Sequence, residues 1–244
     1  MFTNQYRIAD KVISITSIYQ RVHELCADYL ADDEPDFEAA VSQEDIEYER
    51  MRSEKEDIAE GHEIRHFPDD YLEELAVYRK IATKMLEYDT FLFHGSVIAV
   101  DGEGYLFTAK SGTGKSTHTR LWRQLLGDKA MMINDDKPLI RCDGNGAVVF
   151  GTPWDGKHRL STNTSVPLKA VCILERAENN HIEQITKKDA YNMLVQQIYR
   201  PNEPQKLIRT LQLIDRLAGS VKLWRLGCNM DIEAAETAYN AMKG

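Results

Sequence analysis

The sequence has few cysteines, and it has no long apolar run. Its four cysteines, Cys26, Cys142, Cys172 and Cys228, are widely spaced and form no Cys-x-x-Cys pair. This spacing excludes the common zinc motifs and gives no disulfide framework, so we expect reduced thiols. No stretch approaches the roughly 20 apolar residues of a membrane helix, and the N-terminus lacks the basic and apolar regions of a signal peptide. We therefore expect a cytoplasmic protein.

Basic side chains are also in the minority. The 244 residues include 39 acidic and 30 basic ones, which gives a net charge of −9. Much of the excess acid lies between Asp32 and Glu74. A chain of this charge repels phosphate backbones and anionic lipid surfaces, so we expect neither a nucleic acid nor a membrane as partner.

The first part of the chain has mixed helix and strand patterns. Arg7 to Ile15 alternates as a strand does, and Ile18 to Tyr29 has apolar residues at helical spacing. The charge-dense segment from Glu44 to Ile64 is either a solvated helix or a mobile loop. Tyr71 to Tyr88 has the apolar stripe of a buried helix. These patterns predict an N-terminal α/β unit over residues 1–88.

The remainder is predicted to start with strands and to end mainly in helices. Strands are expected at Phe91–Val100, Tyr105–Thr108, Ala130–Ile133, Leu139–Arg141, Val148–Phe150, Ala170–Leu174 and Val221–Leu226. Helices are expected at Thr117–Leu126, Lys187–Tyr199, Glu203–Leu217 and Ile232–Met242. The predicted fold class is α/β with α+β character, and residues 89–244 form its catalytic domain. Alternatively, both parts share one sheet in a single domain.

A glycine-rich loop follows the strand that ends at Thr108. Residues 109–116 read Ala-Lys-Ser-Gly-Thr-Gly-Lys-Ser, which is the Walker A pattern except that Ala109 replaces the first glycine. Glycine lets backbone N–H groups turn inward around an anion, and the helix that follows adds its positive end. The alternative is a glycine-rich turn that matches the pattern by chance. The strand–loop–helix setting favours an ATP site.

The residue types of this loop predict how it would bind the nucleotide. Lys115 supplies positive charge to the β- and γ-phosphates, and the hydroxyl of Ser116 can bind Mg²⁺. The residues expected to bind the nucleotide are Ser111, Gly112, Thr113, Gly114, Lys115, Ser116 and Thr117. The sequence thus predicts ATP and Mg²⁺ as cofactors.

Two adjacent aspartates, Asp135 and Asp136, end the next apolar strand. In a parallel arrangement of strands they would lie at the same sheet edge as the loop. One carboxylate can hold Mg²⁺, for which we name Asp136 beside Ser116, and the other can accept a proton from a hydroxyl. The pattern leaves the division of these tasks open, and a solvated Asp-Asp turn is the alternative. His94 precedes the loop strand and is either structural or close to the phosphates.

The loop from Gly151 to Arg159 is polar and carries basic side chains. Lys157 and Arg159 could neutralise transferred charge if this loop closes over the acceptor. The alternative is an ordinary surface connection that Trp154 anchors.

Three motifs in this order resemble a known family. His94-Gly95, the loop at residues 109–116 and Asp135-Asp136 resemble the catalytic core of HPr kinase/phosphorylase. They are also similar to the nucleotide-binding core of ATP-dependent phosphoenolpyruvate carboxykinase. The resemblance implies a P-loop core of this type, with ATP-dependent transfer of the γ-phosphoryl group to a hydroxyl. The sequence has no match to the Arg-Gly-Leu-Gly stretch of HPr kinases, so the resemblance does not identify the acceptor.

The leading hypothesis is therefore a kinase that acts on a serine-like hydroxyl of a protein, peptide or small metabolite. Its catalytic residues would be His94, Lys115, Asp135 and Asp136. The alternatives are a nucleotide-binding regulatory ATPase without an acceptor and a degenerate binding module without chemistry. A homo-oligomer is compatible with the sequence, which does not reveal the oligomeric state.

Overall fold

The computed structural model describes residues 1–156 and 158–244. They form two compact units, residues 1–84 and residues 85–244. Each unit combines helices with a β-sheet of its own, so the chain has the mixed α/β character that the sequence predicted. Within the described residues, no helix combines the length and the apolarity that crossing a membrane requires.

The first unit is built on a small sheet. Its strands β1 (Phe2–Ile8) and β2 (Lys11–Ser17) pair antiparallel, and β3 (Phe37–Ala40) lies parallel to β2. Its helices are α1 (Arg21–Leu25), α2 (Gln43–Glu60) and α3 (Asp69–Met85), and a 3₁₀ turn covers Ala27–Tyr29.

Two interpretations of this unit need correction. The alternating segment from Arg7 to Ile15 is a hairpin rather than one strand, because Ala9 and Asp10 adopt positive φ angles of 51° and 64°. In place of the helix predicted over residues 18–29, the structure has the short helix α1 and the 3₁₀ turn. Of the two readings of residues 44–64, the helix is confirmed as far as Glu60. Ser42 and Asp45 form a capping box at its start, and this satisfies backbone groups that a helix end leaves unpaired.

The second unit carries the larger sheet. Its strands are β4 (Thr90–Leu92), β5 (Ser96–Val100), β6 (Glu103–Thr108), β7 (Ala130–Asn134), β8 (Leu139–Cys142), β9 (Ala147–Phe150), β10 (Ser165–Arg176), β11 (His181–Gln184) and β12 (Lys222–Cys228). Its helices are α4 (Lys115–Leu126), α5 (Lys187–Gln196), α6 (Pro204–Ser220) and α7 (Ile232–Met242). Short 3₁₀ turns cover Leu86–Tyr88 and Gly127–Lys129.

The order of the strands brings several strand ends to one edge of the sheet. The order through the centre is β12–β10–β6–β5–β7. Strands β12, β10 and β6 are parallel, whereas β5 is antiparallel to both β6 and β7. Strands β6 and β7 therefore run in the same direction with β5 between them. The carboxyl ends of β6, β7, β10 and β12 and the amino end of β5 open on the same edge.

The strand predicted over Phe91–Val100 is interrupted. Strand β4 ends at Leu92 and β5 begins at Ser96, and these two strands have different neighbours in the sheet. Gly95 allows this crossing, since a Cβ there would lie 2.6 Å from a Leu106 methyl carbon. The short strand β11, which pairs with β12, was not predicted.

Helices cover both faces of the larger sheet. Alternate residues of β5 divide between the two cores: Val97 and Ala99 lie in the core that includes α5 and α6, and Ile98 and Val100 lie in the core that includes α4 and α7. This alternation follows from the two-residue period of a strand.

His118 is a buried titratable group in the core beneath α4. Its side chain packs edge-on against Phe107, and its Nε2 accepts a hydrogen bond from Trp122 Nε1 at 3.0 Å. Burial lowers the pKa of His118 to about 3, because the charged ring would lose its hydration. The folded chain therefore holds this ring neutral.

Replacement of His118 by Gln should remove part of the acid sensitivity of the fold. Between pH 6.5 and pH 3 the unfolded chain binds a proton at His118 that the folded chain does not, so stability falls as pH falls. For one such proton the slope is about 1.4 kcal/mol per pH unit. Urea unfolding at pH 7, 6 and 5 should show a smaller slope for His118→Gln, whose amide oxygen can still accept from Trp122. Equal slopes for the two proteins would contradict a neutral buried His118.

Candidate functional site

The glycine-rich loop lies between β6 and α4. Ala109 is fully buried at the end of β6, and the positive φ angles of the loop fall on Gly112 (74°) and Gly114 (120°). An alanine is therefore tolerated at position 109, because the conformations that require glycine lie elsewhere in the loop. Lys115 opens α4, so the free N–H groups of a helix start lie beside the loop.

Lys115 lies partly buried near the two aspartates. Burial lowers the pKa of Lys115, and the negative charges of Asp136 and Asp135 act in the opposite direction. The loop lysine and the aspartates, which are about 20 positions apart in the sequence, thus share one electrostatic environment. Ser116, the next residue, is exposed in the first turn of α4.

Asp135 is tied to α4 through two hydroxyl groups. Its Oδ1 accepts a hydrogen bond from Ser96 Oγ at 2.6 Å, and Ser96 Oγ lies 3.0 Å from Thr119 Oγ1. All three residues are buried. Thr119 also lies 3.3 Å from the backbone oxygens of Lys115 and Ser116. This chain of contacts fixes the Asp135 carboxylate relative to the start of α4.

Asp136 is held by cationic and titratable groups. Its Oδ1 lies 3.3 Å from His94 Nε2, and its Oδ2 lies 3.2 Å from Lys137 Nζ. Burial alone would raise the pKa of Asp136. The hydrogen bond from His94 and the charges of Lys137 and His94 outweigh burial and lower this pKa to about 2. Asp136 is therefore a carboxylate at any physiological pH.

Asn134 shapes the turn that contains the two aspartates. Its side-chain oxygen accepts from the backbone N–H groups of Asp136 and Lys137 at 2.9 and 2.7 Å. Its amide nitrogen donates to the backbone and side-chain oxygens of Thr152 at 3.2 and 3.0 Å. An asparagine that bonds to the backbone two residues later is typical of tight turns. The Asp-Asp pair thus lies in a hydrogen-bonded turn in which Asp135 is buried and Asp136 is half-buried.

Gln197 is a site residue that sequence reasoning missed. Its Oε1 lies 3.0 Å from His94 Nδ1, and its backbone oxygen accepts from the His94 N–H at 2.7 Å. Gln197 is buried and follows α5, more than 100 residues after His94. No local pattern marks it, because the contact arises from the pairing of Phe93 with Ile198 across the sheet edge.

Ser96 and Thr119 were missed as well, although each had a weak local signal. Ser96 is the second residue after His94, and Thr119 is one helical turn after Lys115. Residues four apart on a helix share a face, so Thr119 could have been expected below the loop.

The loop after β9 touches the site at Gly156. A Cβ at Gly156 would lie 3.0 Å from Asp135 Oδ2, so the backbone of this loop passes directly over that carboxylate. Trp154 is buried and anchors the loop. Arg159 is exposed, and no contact between described residues joins its side chain to the aspartates. Lys157 lies outside the described residues.

Arg176 connects the glycine-rich loop to the neighbouring strand. It lies at the end of β10, and its guanidinium donates to the backbone oxygen of Gly112 at 2.5 Å. Sequence patterns did not indicate this contact, which depends on β10 lying beside β6.

The described residues do not form a metal site by themselves. Among the described residues, no group of three or more His, Cys, Asp or Glu side chains is close enough to hold a metal ion unaided. A metal ion here would need ligands from a bound molecule or from water. Mg²⁺ is commonly bound in this way, through one or two protein oxygens and the phosphates of a substrate.

Comparisons with known proteins give one family and a distant structural likeness. The family described as SynChlorMet cassette protein ScmC matches residues 69–202. Among solved structures, the HPr(Ser) kinase/phosphatase from Coxiella burnetii matches with 10% sequence identity and a TM-score of 0.34. That match covers 63% of this chain and 99% of the other. No curated protein sequence matches the chain.

Removal of a positive partner should raise the pKa of Asp136. His94→Ala removes a hydrogen bond and Lys137→Ala removes a charge, and both groups lower this pKa in the wild-type protein. Titration of the side-chain carboxyl ¹³C signal of Asp136 by NMR should show a shift upward from about 2 in each variant. Lys129→Ala, which alters an exposed lysine beyond the far end of α4, is the matched control and should leave the signal unchanged. An unchanged titration in both test variants would rule out the pairing described here.

Proposed function

We propose that this chain, which belongs to the ScmC family, is an ATP- and Mg²⁺-dependent kinase that phosphorylates a serine-like hydroxyl. The acceptor would be carried by a protein, a peptide or a small metabolite. One observation carries the proposal: the glycine-rich loop with Lys115 meets Asp135, Asp136 and His94 at one sheet edge. Phosphoryl transfer requires such a combination of an anion cradle with carboxylates.

The loop is proposed to act as a P-loop of the type found in HPr kinase and phosphoenolpyruvate carboxykinase. The phosphates would be bound by residues 111–117, through the backbone N–H groups of the loop and of the first turn of α4. Lys115 would place its ammonium group against the β- and γ-phosphates. Its partial burial strengthens that interaction, because water screens the charges less.

Ser116 and Asp136 are the proposed protein ligands of Mg²⁺. Asp136 stays ionised because its pKa is about 2, and the Ser116 hydroxyl is exposed at the start of α4. A bound Mg²⁺ would neutralise charge that develops on the oxygens between the β- and γ-phosphates. Before the ion binds, the contacts of Asp136 with His94 and Lys137 would hold its carboxylate in position.

Asp135 is the proposed general base. Its neighbour Asp136 is a weak proton acceptor because its pKa is about 2, and this supports Asp135 as the base. In the proposed step the acceptor oxygen attacks the γ-phosphorus, and the bond from that phosphorus to the β–γ bridging oxygen breaks. The hydroxyl proton passes to Asp135, and ADP leaves.

His94 and the loop after β9 would complete the site. His94 lies between Asp136 and Gln197, where its Nε2 can orient the Asp136 carboxylate or donate to a phosphoryl oxygen. Gly156 passes over Asp135, so an acceptor that approaches the base would meet this loop. Lys157 and Arg159 are proposed to neutralise charge on that acceptor.

A labelling experiment tests the kinase against the regulatory ATPase. The full chain is incubated with Mg²⁺, with ATP labelled on its γ-phosphate and with extract of the source cells, and the macromolecular and small-molecule fractions are counted separately. Label should appear in one fraction with the wild-type protein, and should fall at least about 100-fold with Lys115→Ala. Lys129→Ala is the matched control, because this exposed lysine lies beyond the far end of α4.

Release of free phosphate without a labelled acceptor would favour the regulatory ATPase. Label that persists in Lys115→Ala would contradict the proposed site.

Substitution of the two aspartates should affect different kinetic quantities. Asp135→Asn should lower kcat about 10²- to 10⁴-fold through loss of the base, with little change in the Mg²⁺ concentration required. Asp136→Asn should raise the Mg²⁺ concentration for half-maximal rate, because a neutral amide binds this cation less well. Steady-state rates at a series of Mg²⁺ concentrations measure both effects. The reverse pattern would exchange the two roles, and wild-type kinetics in both variants would contradict the proposed chemistry.

A further inference from the structure

A cleft of about 450 Å³ borders the glycine-rich loop on the side away from the aspartates. Its walls come from residues 112–114 of the loop, from one face of α4, from the carboxyl end of β10 and from residues 228–230 after β12. Clefts of this size commonly hold one small organic molecule.

The order of the strands places the cleft and the aspartates on opposite sides of the loop. Asp135 and Asp136 follow β7, and His94 precedes β5, whereas the cleft lies at the ends of β10 and β12. The loop leaves β6, which lies between these two pairs of strands. A triphosphate in the loop with its γ-phosphate toward the aspartates would therefore direct its α-phosphate toward the cleft.

The cleft has mainly apolar walls. Leu121 comes from α4, Leu174 and Ala177 lie at the end of β10, and Met230 follows β12. Met230 is 77% exposed, so its side chain is free to pack against a bound molecule. Flexible methionine side chains make favourable sulfur contacts with flat aromatic rings. Such walls suit a nucleobase better than a charged molecule.

His118 gives the cleft a neutral hydrogen-bond donor, in addition to the hydroxyl groups of Thr113 and Thr117. His118 accepts from Trp122 through Nε2, so in the neutral ring the proton lies on Nδ1. The Nδ1 atom is buried and has no hydrogen-bond partner among the described residues, although an unpaired buried donor is costly. A ring nitrogen of a base or a ribose hydroxyl oxygen could accept from it.

The side-chain amide at the rim is already engaged. Asn229 Nδ2 donates to the Glu178 backbone oxygen at 3.3 Å and to Asp231 Oδ2 at 3.0 Å, and its Oδ1 accepts from the Asp231 N–H at 3.0 Å. Its amide therefore cannot offer a donor and an acceptor together to the hydrogen-bonding edge of one particular base.

We infer that this cleft binds the ribose and base of the nucleoside triphosphate, with little discrimination between adenine and guanine. The inference rests on the proposed function, because it requires phosphates in the glycine-rich loop. Arg176, which lines the cleft and bonds to Gly112, joins the two parts of the binding site.

Calorimetric titration of the full chain with inorganic tripolyphosphate, ATP and GTP, each with Mg²⁺, distinguishes binding by the loop from binding by the cleft. Tripolyphosphate has no nucleoside and reports on the loop alone. The test variant is Ala177→Trp, which fills the cleft, with Ala177→Leu as a smaller second variant. Glu178→Trp introduces the same side chain at the next position, which is exposed and does not line the cleft.

The wild-type chain should bind ATP and GTP more tightly than tripolyphosphate, and its affinities for the two nucleotides should agree within about tenfold. Ala177→Trp should lower both nucleotide affinities by about tenfold or more and leave tripolyphosphate binding unchanged. Ala177→Leu should have a smaller effect in the same direction, and Glu178→Trp should have none. Tripolyphosphate binding by each variant confirms that its loop is folded.

Three results would overturn the inference while the proposed function stands. They are equal wild-type affinities for ATP and tripolyphosphate, unchanged ATP affinity in Ala177→Trp and Ala177→Leu when both still bind tripolyphosphate, and a preference for one purine of more than about 100-fold. A wild-type chain that binds neither tripolyphosphate nor ATP would instead overturn the proposed function, and the inference with it.

Discussion

The arrangement of the site depends on the buried hydroxyl of Ser96. Ser96 donates to Asp135 at 2.6 Å, so toward Thr119 it can act only as an acceptor. A buried carboxylate without a donor would be costly, and this hydrogen bond removes that cost. Because Ser96 begins β5, Asp135 follows β7 and Thr119 lies on α4, the contact fixes the sheet edge relative to the helix. Thr119 lies one helical turn after Lys115, so this connection also relates Asp135 to the lysine of the loop.

The two aspartates differ because their neighbours differ. Asp136 faces Lys137 and His94, which lower its pKa to about 2, whereas Asp135 lies under Gly156 and accepts from a neutral hydroxyl. Two identical side chains in adjacent positions can thus serve different tasks. The overall charge of −9 does not exclude an anionic substrate, because the loop and Lys115 provide a local positive potential.

Sequence patterns predicted most elements of the second unit but not where the chain changes direction. Strand β6, the glycine-rich loop and α4 follow from periodicity and from the loop's glycines, and the structure confirms these elements. The segments 7–15 and 91–100 were each taken as one strand. Both are broken, by the positive φ angles of Ala9 and Asp10 in the first and by the crossing at Gly95 in the second. Alternation of apolar residues continues across such breaks and therefore hides them.

The sequence by itself determined the local chemistry: glycines where the loop needs positive φ angles, a lysine at the start of α4, and two aspartates after an apolar strand. These features depend on backbone conformations of a few consecutive residues, which local sequence encodes. Only the tertiary structure decided that β5 separates β6 from β7, that Gln197 contacts His94, and that a cleft lies beside the loop over β10 and β12. These contacts join residues that are distant in the chain, and they arise from the order in which the strands pair.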